Sequence, residues 1–163
     1  MNVLVLSIKP KYAEAIYSGI KQFEFRKVPP QNLKAIYLMY ESAPVSKITG
    51  TVSFCASLTC RAGAMVISIM RLMAVKKSIA IEMMGITEKE LIAYAGGPNN
   101  FVTALMVDRA DKDSSYEKYT CGIRPPQNWG TIRAAFPHPQ RRLPRRAGCS
   151  GAWHGRCSHC IQP

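Results

Sequence analysis

The chain has 163 residues, 47% hydrophobic and 20% charged, with a formal net charge of +12. This composition excludes a disordered or fibrous chain and leaves room for one domain with a core, plus a tail. The charge points to a polyanion, for which nucleic acid and anionic membrane are the two candidates. The start, MNVLVLSIKP, has no charged n-region and too short an apolar run for a secretory signal. The stretch from Ala62 to Met84 is broken by Arg71, Lys76 and Lys77. It falls short of the ~18 uninterrupted apolar residues of a membrane span and reads as buried helix. A cytoplasmic protein with no membrane partner is the expectation. Its six cysteines then default to free thiols or metal ligands rather than disulfides.

In chain order, Val3 to Ser7 is β-branched and apolar and predicts a strand. Pro10 opens a short helix in which Tyr12, Ala13, Ile16 and Tyr17 recur at helical spacing, and Gly19 stops it. Lys21 to Lys27 alternates, with Phe23 and Phe25 facing a core and Gln22, Glu24 and Arg26 forming a charged face. After the break at Val28-Pro29-Pro30, strands are predicted over Lys34 to Tyr40 and Ile48 to Cys55, with Gly50 at a possible bulge. Methionine and alanine favour helix in Ala62 to Met84. Thr87-Glu88-Lys89-Glu90 fits a capping box that starts a helix ending near Ala95, before Gly96-Gly97-Pro98. Phe101 to Val107 reads as a strand and Asp108 to Tyr119 as a polar loop with room for a short strand. Pro125-Pro126-Gln127-Asn128-Trp129 is extended, and a last short strand near Trp129 to Arg133 closes the domain.

The order lacks the β-α-β-α alternation of a parallel sheet. It implies an α+β fold: a small, mixed, partly closed β-barrel with short helices. Residues 1–133 form the domain and 134–163 a basic Pro/Arg/Cys-rich tail, expected to be disordered. Five arginines (Arg141, Arg142, Arg145, Arg146 and Arg156) sit in 137–163, which leaves +7 for residues 1–136. Arg141 to Arg146 would add non-specific affinity for nucleic acid. Cys149, His154, Cys157 and Cys160 are the residue types of a zinc site, but the segment has no strand or helix pattern to carry one, and no metal or cofactor is expected. Cys55, Cys60 and Cys121 read as buried thiols. All three histidines lie in the tail, which removes histidine-based nucleophilic chemistry from the domain.

Three stretches, taken together, resemble the ASCH branch of the PUA-like superfamily. They are Leu6-Ser7-Ile8-Lys9-Pro10-Lys11-Tyr12-Ala13, Ser18-Gly19-Ile20-Lys21-Gln22-Phe23-Glu24-Phe25-Arg26-Lys27 and Gly122-Ile123-Arg124-Pro125-Pro126-Gln127. Gly85-Ile86-Thr87, leading to Tyr94, fits the same pattern. The resemblance is in particular to small prokaryotic and phage ASCH proteins, sometimes labelled transcriptional regulators. Residues 56–84 and the tail depart from it. The resemblance implies an RNA- or nucleotide-binding module. It also implies that Lys21, Glu24 and Arg26 meet over the barrel mouth with the loop Ser7 to Lys9. Some relatives hydrolyse N4-acetylcytidine with a lysine at the position of Lys21 and a threonine at that of Glu24, and ribonuclease activity has been proposed for others.

Lys21, Glu24 and Arg26 are therefore the candidate site, with Ser7 and Lys9 beside them. Arg26 suits a bidentate grip on phosphate and Lys21 a point charge. In an enzyme, Lys21 and Glu24 are the candidate catalytic pair, with a further carboxylate sought at Glu82, Glu88 or Glu90. Gln127 and Trp129 are candidates to read and stack a base. Tyr12 and Tyr17 read as helix core. Nothing in the sequence points to an obligate protein partner.

Overall fold

The structure, a computed structural model, describes residues 3–120. Strand β1 (Val3–Ile8) leads into helix α1 (Pro10–Tyr17), then β2 (Phe23–Arg26), β3 (Ile36–Glu41) and the long β4 (Lys47–Arg61). Helices α2 (Met65–Met73), α3 (Lys77–Met84) and α4 (Glu88–Ala95) follow, and β5 (Phe101–Lys112) returns along β4. A 3-10 segment, Ser114–Thr120, ends the described chain. The sheet order is β1-β3-β4-β5-β2. The β1–β3 pair is parallel and the others are antiparallel. This mixed half-barrel with four short helices is the α+β barrel class implied by the sequence. Among the described residues, no helix is long and apolar enough to cross a membrane. The boundary near 133, the closing strand, Gln127, Trp129 and the tail lie outside the described residues.

Each helix end has a local cause. Pro10 occupies the first turn of α1, where its missing N–H costs nothing, and Ala13 and Ile16 give the helix its buried side. The capping box predicted at Thr87 forms: Glu90 N–H donates to Thr87 Oγ1, and Thr87 N–H to the Glu90 carboxylate at 2.9 Å. The stretch 62–84 is two helices, not one. α2 stops at Ala74, which adopts a left-handed conformation at φ +52°. Alanine there is disfavoured by roughly 1–2 kcal/mol, so packing rather than local preference makes the break. That packing buries Met65, Val66 and Ile69 of α2 with Ala80, Met83 and Met84 of α3 against Phe23 and Phe25.

Both long strands overrun their sequence limits. β5 continues through the largely polar Asp108 to Lys112, of which Arg109 to Lys112 pair with Ser53 to Gly50 of β4. The ladder is made by backbone, so it does not need apolar side chains. β4 likewise runs past Cys55 to Arg61. The irregularity foreseen near Gly50 is present: Met39 pairs with Gly50 and Tyr40 with Ile48, leaving Thr49 as the extra residue. A side chain at Gly50 would collide with Asp111 O, and the Tyr17 hydroxyl lies 2.7 Å from where its Cβ would stand. That hydroxyl is bonded to Thr49 Oγ1 at 2.9 Å.

The opposite sheet face carries a second core. Leu6, Tyr37, Met39, Val52, Phe54 and Leu105 enclose Ala13 and Ile16 of α1. The terminal strands β1 and β2 are joined by a side chain, because Arg26 Nη2 donates to Ser7 O at 2.6 Å. The sheet has therefore curled until its two ends meet. Cys55 is exposed and Cys60 half-buried, against the expectation of buried thiols, because this part of β4 lies at an edge.

Candidate functional site

The seam between β1 and β2 is where the predicted residues collect. Gly19, at φ +79°, ends the turn after α1, and Lys21 N–H returns to Ala15 O at 2.8 Å. This fixes Lys21 two residues before β2 and turns its side chain inward. Its stem runs against Gly85, the left-handed cap of α3. A Cβ on Gly85 would stand 2.9 Å from Lys21 Cβ and Cγ. The ammonium donates to Met84 O at 2.7 Å, at the carbonyl end of α3, where a cation suits the helix dipole. The Phe25 ring lies 4.8 Å from Nζ and the Tyr12 ring 5.4 Å.

The alternating strand does not carry a solvated charged face. Lys21 is only 2% exposed and Glu24 only 7%. Glu24 lies opposite Leu105, on the face that points into the half-barrel. Its Oε1 accepts from Arg26 Nη2 at 2.9 Å, while Oε2 is 3.9 Å from Lys21 Nζ, beyond hydrogen-bond length. Arg26 then reaches Ser7 O, so the chain of contacts runs Met84 O, Lys21, Glu24, Arg26, Ser7. Arg26 Nε is buried and has no partner among the described residues.

Burial is the main cause of Lys21's unusual acidity. Desolvation lowers its pKa from 10.5 to about 8; Glu24 opposes this and Arg26 adds to it. Tyr94 closes the outer side, its hydroxyl 3.4 Å from Phe25 O and its acidity suppressed mainly by burial. Lys27 lies over the Tyr94 ring at 5.4 Å and Lys11 over the Tyr12 ring at 4.6 Å. Lys9 is exposed at the start of α1. The result is a buried Lys21–Glu24 pair with a half-buried Arg26, under a rim of cations and two tyrosines.

Ser7, Lys21, Glu24 and Arg26 are thus brought together as expected, Ser7 through its carbonyl. Gln127 and Trp129 lie outside the described residues. Glu82, Glu88 and Glu90 are not at Lys21. Glu82 is exposed, Glu88 faces Lys77 at 3.4 Å, and Glu90 serves the cap and approaches Lys11 at 3.9 Å. Gly85, the Met84 carbonyl and Tyr94 escaped the sequence reading as site components. Gly85-Ile86-Thr87, leading to Tyr94, entered only as part of the family resemblance, and nothing in it shows that a lysine lies against Gly85. Among the described residues, no cluster of three His, Cys, Asp or Glu side chains is placed to hold a metal ion.

No family model and no curated protein matches the chain. Solved structures do. The ASCH protein from Zymomonas mobilis superposes with a TM-score of 0.57 at 22% identity, covering 81% of this chain and 88% of the other. A serine-to-alanine variant of that protein gives 0.55 at 22% identity, covering 81% and 89%. A tyrosine-to-phenylalanine variant gives 0.55 at 21%, covering 82% and 91%.

Proposed function

We propose that this chain, which has the fold of an ASCH domain, is an RNA- or nucleotide-binding module whose ligand sits on the Arg26–Tyr94 rim above the buried Lys21–Glu24 pair. One observation carries the reading: Lys21, Glu24, Arg26 and Ser7 converge at the seam of the half-barrel, flanked by Lys11 and Lys27 on the tyrosine rings. The exposed part of Arg26 and the rim lysines supply phosphate contacts, and Tyr94, 40% exposed, offers a ring to a base. Lys21 is too buried to meet a phosphate directly. It acts instead as a fixed internal charge behind Glu24.

The test is equilibrium binding of a short labelled single-stranded RNA to the full chain between about 50 and 200 mM salt. Affinity should fall linearly on a log–log plot, with a slope of about −0.7 per phosphate contact. Arg26→Ala should weaken binding by roughly tenfold with the tail intact. No binding at the low-salt end, or binding indifferent to salt, would sink the proposal.

A second reading is a small hydrolase acting on N4-acetylcytidine or RNA through Lys21 and Glu24. It is favoured by one observation, a buried lysine with its pKa lowered to about 8, part of which is neutral and nucleophilic near physiological pH. Against it, Glu24 is the one carboxylate near the Lys21 ammonium among the described residues. Mass spectrometry after incubation with N4-acetylcytidine and a short RNA decides. Deacetylated cytidine or cut RNA, absent with Lys21→Ala, makes the chain an enzyme; unchanged substrates leave the binding module.

A further inference from the structure

The hairpin of β4 and β5 is covered unevenly. β3 pairs with β4 only between Lys47 and Val52, whereas β5 accompanies β4 as far as Arg61. From Ser53 onward, β4 therefore has β5 on one side and, among the described residues, no backbone partner on the other. Register shifts around Phe54 disturb its upper part and leave Ala56 to Arg61 regular. Ser57, Thr59 and Arg61 are exposed; Ala56, Leu58 and Cys60 are half-buried. No charged residue and no proline lies between Lys47 and Arg61, so this stretch lacks the usual devices that block strand pairing.

A second layer lies above the edge. Ala56 and Leu58 share an apolar hollow with Phe23, Ala104, Met106 and Leu72 of α2, and Leu72 is 54% exposed. Among the described residues, the open margin is thus a strand with no backbone partner on its outer side, beneath a helix that offers an apolar side chain.

We infer that this margin pairs with its own copy, β4 running antiparallel to β4 of a second chain over residues 56–61. A lone extended peptide would satisfy the strand and leave Leu72 in water. A polyanion finds no cation along the strand before Arg61. An identical margin covers both layers about a two-fold axis normal to the sheet, strand to strand and α2 beside α2. The charges agree with this. A chain of +12 needs a neutral seam to meet itself, and residues 48–60 are uncharged. Pairing over 56–61 sets Arg61 of each copy across from Ala56 of the other, so the two arginines lie at opposite ends of the seam. The inference is independent of what the Arg26 rim binds.

The test is sedimentation velocity of the full chain over a concentration series, with amide hydrogen exchange on the same samples. The expected result is a species of twice 18.1 kDa and slow outward-facing amides in 56–61 that speed up on dilution. The double variant Ser57→Lys, Thr59→Lys places like charges on an exposed strand and should return the mass to 18.1 kDa with an unchanged circular dichroism spectrum. A wild-type monomer throughout overturns the inference. So does a dimer that survives both lysines, which puts the interface elsewhere. Slow 56–61 amides in a monomer also overturn it, because the chain's own residues beyond 120 then cover the edge.

Discussion

Lys21 and Lys112 are both lysines paired with a glutamate, and they behave in opposite ways. Lys112 Nζ lies 2.8 Å from Glu14, with its side chain 57% exposed, and the pair raises its pKa. Lys21 lies 3.9 Å from Glu24, 2% exposed, and its pKa falls to about 8. The shorter bridge is the ordinary one. In water an ion pair gains little and costs little, whereas a buried charge depends on everything around it. Distance to the partner does not decide the state of these lysines; access to solvent does.

Removing one carboxylate from each pair should separate them most. Glu24→Gln leaves Arg26 and Lys21 without their anion in a buried place and should cost about 3 kcal/mol or more in urea unfolding. Glu14→Gln should leave the unfolding midpoint where it was. Equal losses would break the contrast.

The cradle of Lys21 is the next place to press. Gly85→Ala adds both a left-handed alanine at φ +61° and a methyl against the Lys21 stem, for about 2 kcal/mol. Gly96→Ala has the same backbone penalty at φ +87°, but its Cβ meets only Asn100 Nδ2 at 3.3 Å. The excess at Gly85 measures how tightly Lys21 is held, and no excess would mean a loose lysine.

The pH dependence has a definite sign. Lys21 is 10.5 ordinarily and about 8 when folded, so between these values the unfolded chain binds more protons. Its charging penalises the fold fully below about 8, and stability should rise with pH as that penalty is relieved. Tyr17 acts oppositely, with its pKa raised from 10.0 to about 12 by burial, so stability tied to it is lost above 10. Denaturation should therefore show rising stability from about 8 to just below 10, and Lys21→Met should flatten that rise. The smallest effect is Thr87→Ala, which removes the cap of α4 for about 1 kcal/mol and leaves Lys21 unmoved.

Much of this was legible because local rules and tertiary structure agree. Pro10, Gly19, the Thr87 box and the Phe23/Phe25 alternation each dictate one local geometry, and the structure uses all of them. The break at Ala74 was illegible, since no breaker residue stands there. So was the polar half of β5, where pairing to Gly50–Ser53 substitutes for apolar pattern. At the site, the charged triplet was readable as a cluster, but its burial was not. Alternation says which residues share a face, not whether that face looks outward or into a curled sheet. The Lys21–Gly85 contact joins residues far apart in the chain, and a single sequence carries no local sign of it.

The most direct test of the central claim is the titration of the lysine side chains by carbon-detected NMR, with Lys21→Arg used to assign the Lys21 Cε resonance. The account predicts that this one resonance titrates near pH 8, well apart from Lys112, and that it shifts when a short RNA is added. A Lys21 that titrates at the ordinary lysine value and ignores RNA would contradict both its burial and the site built around it.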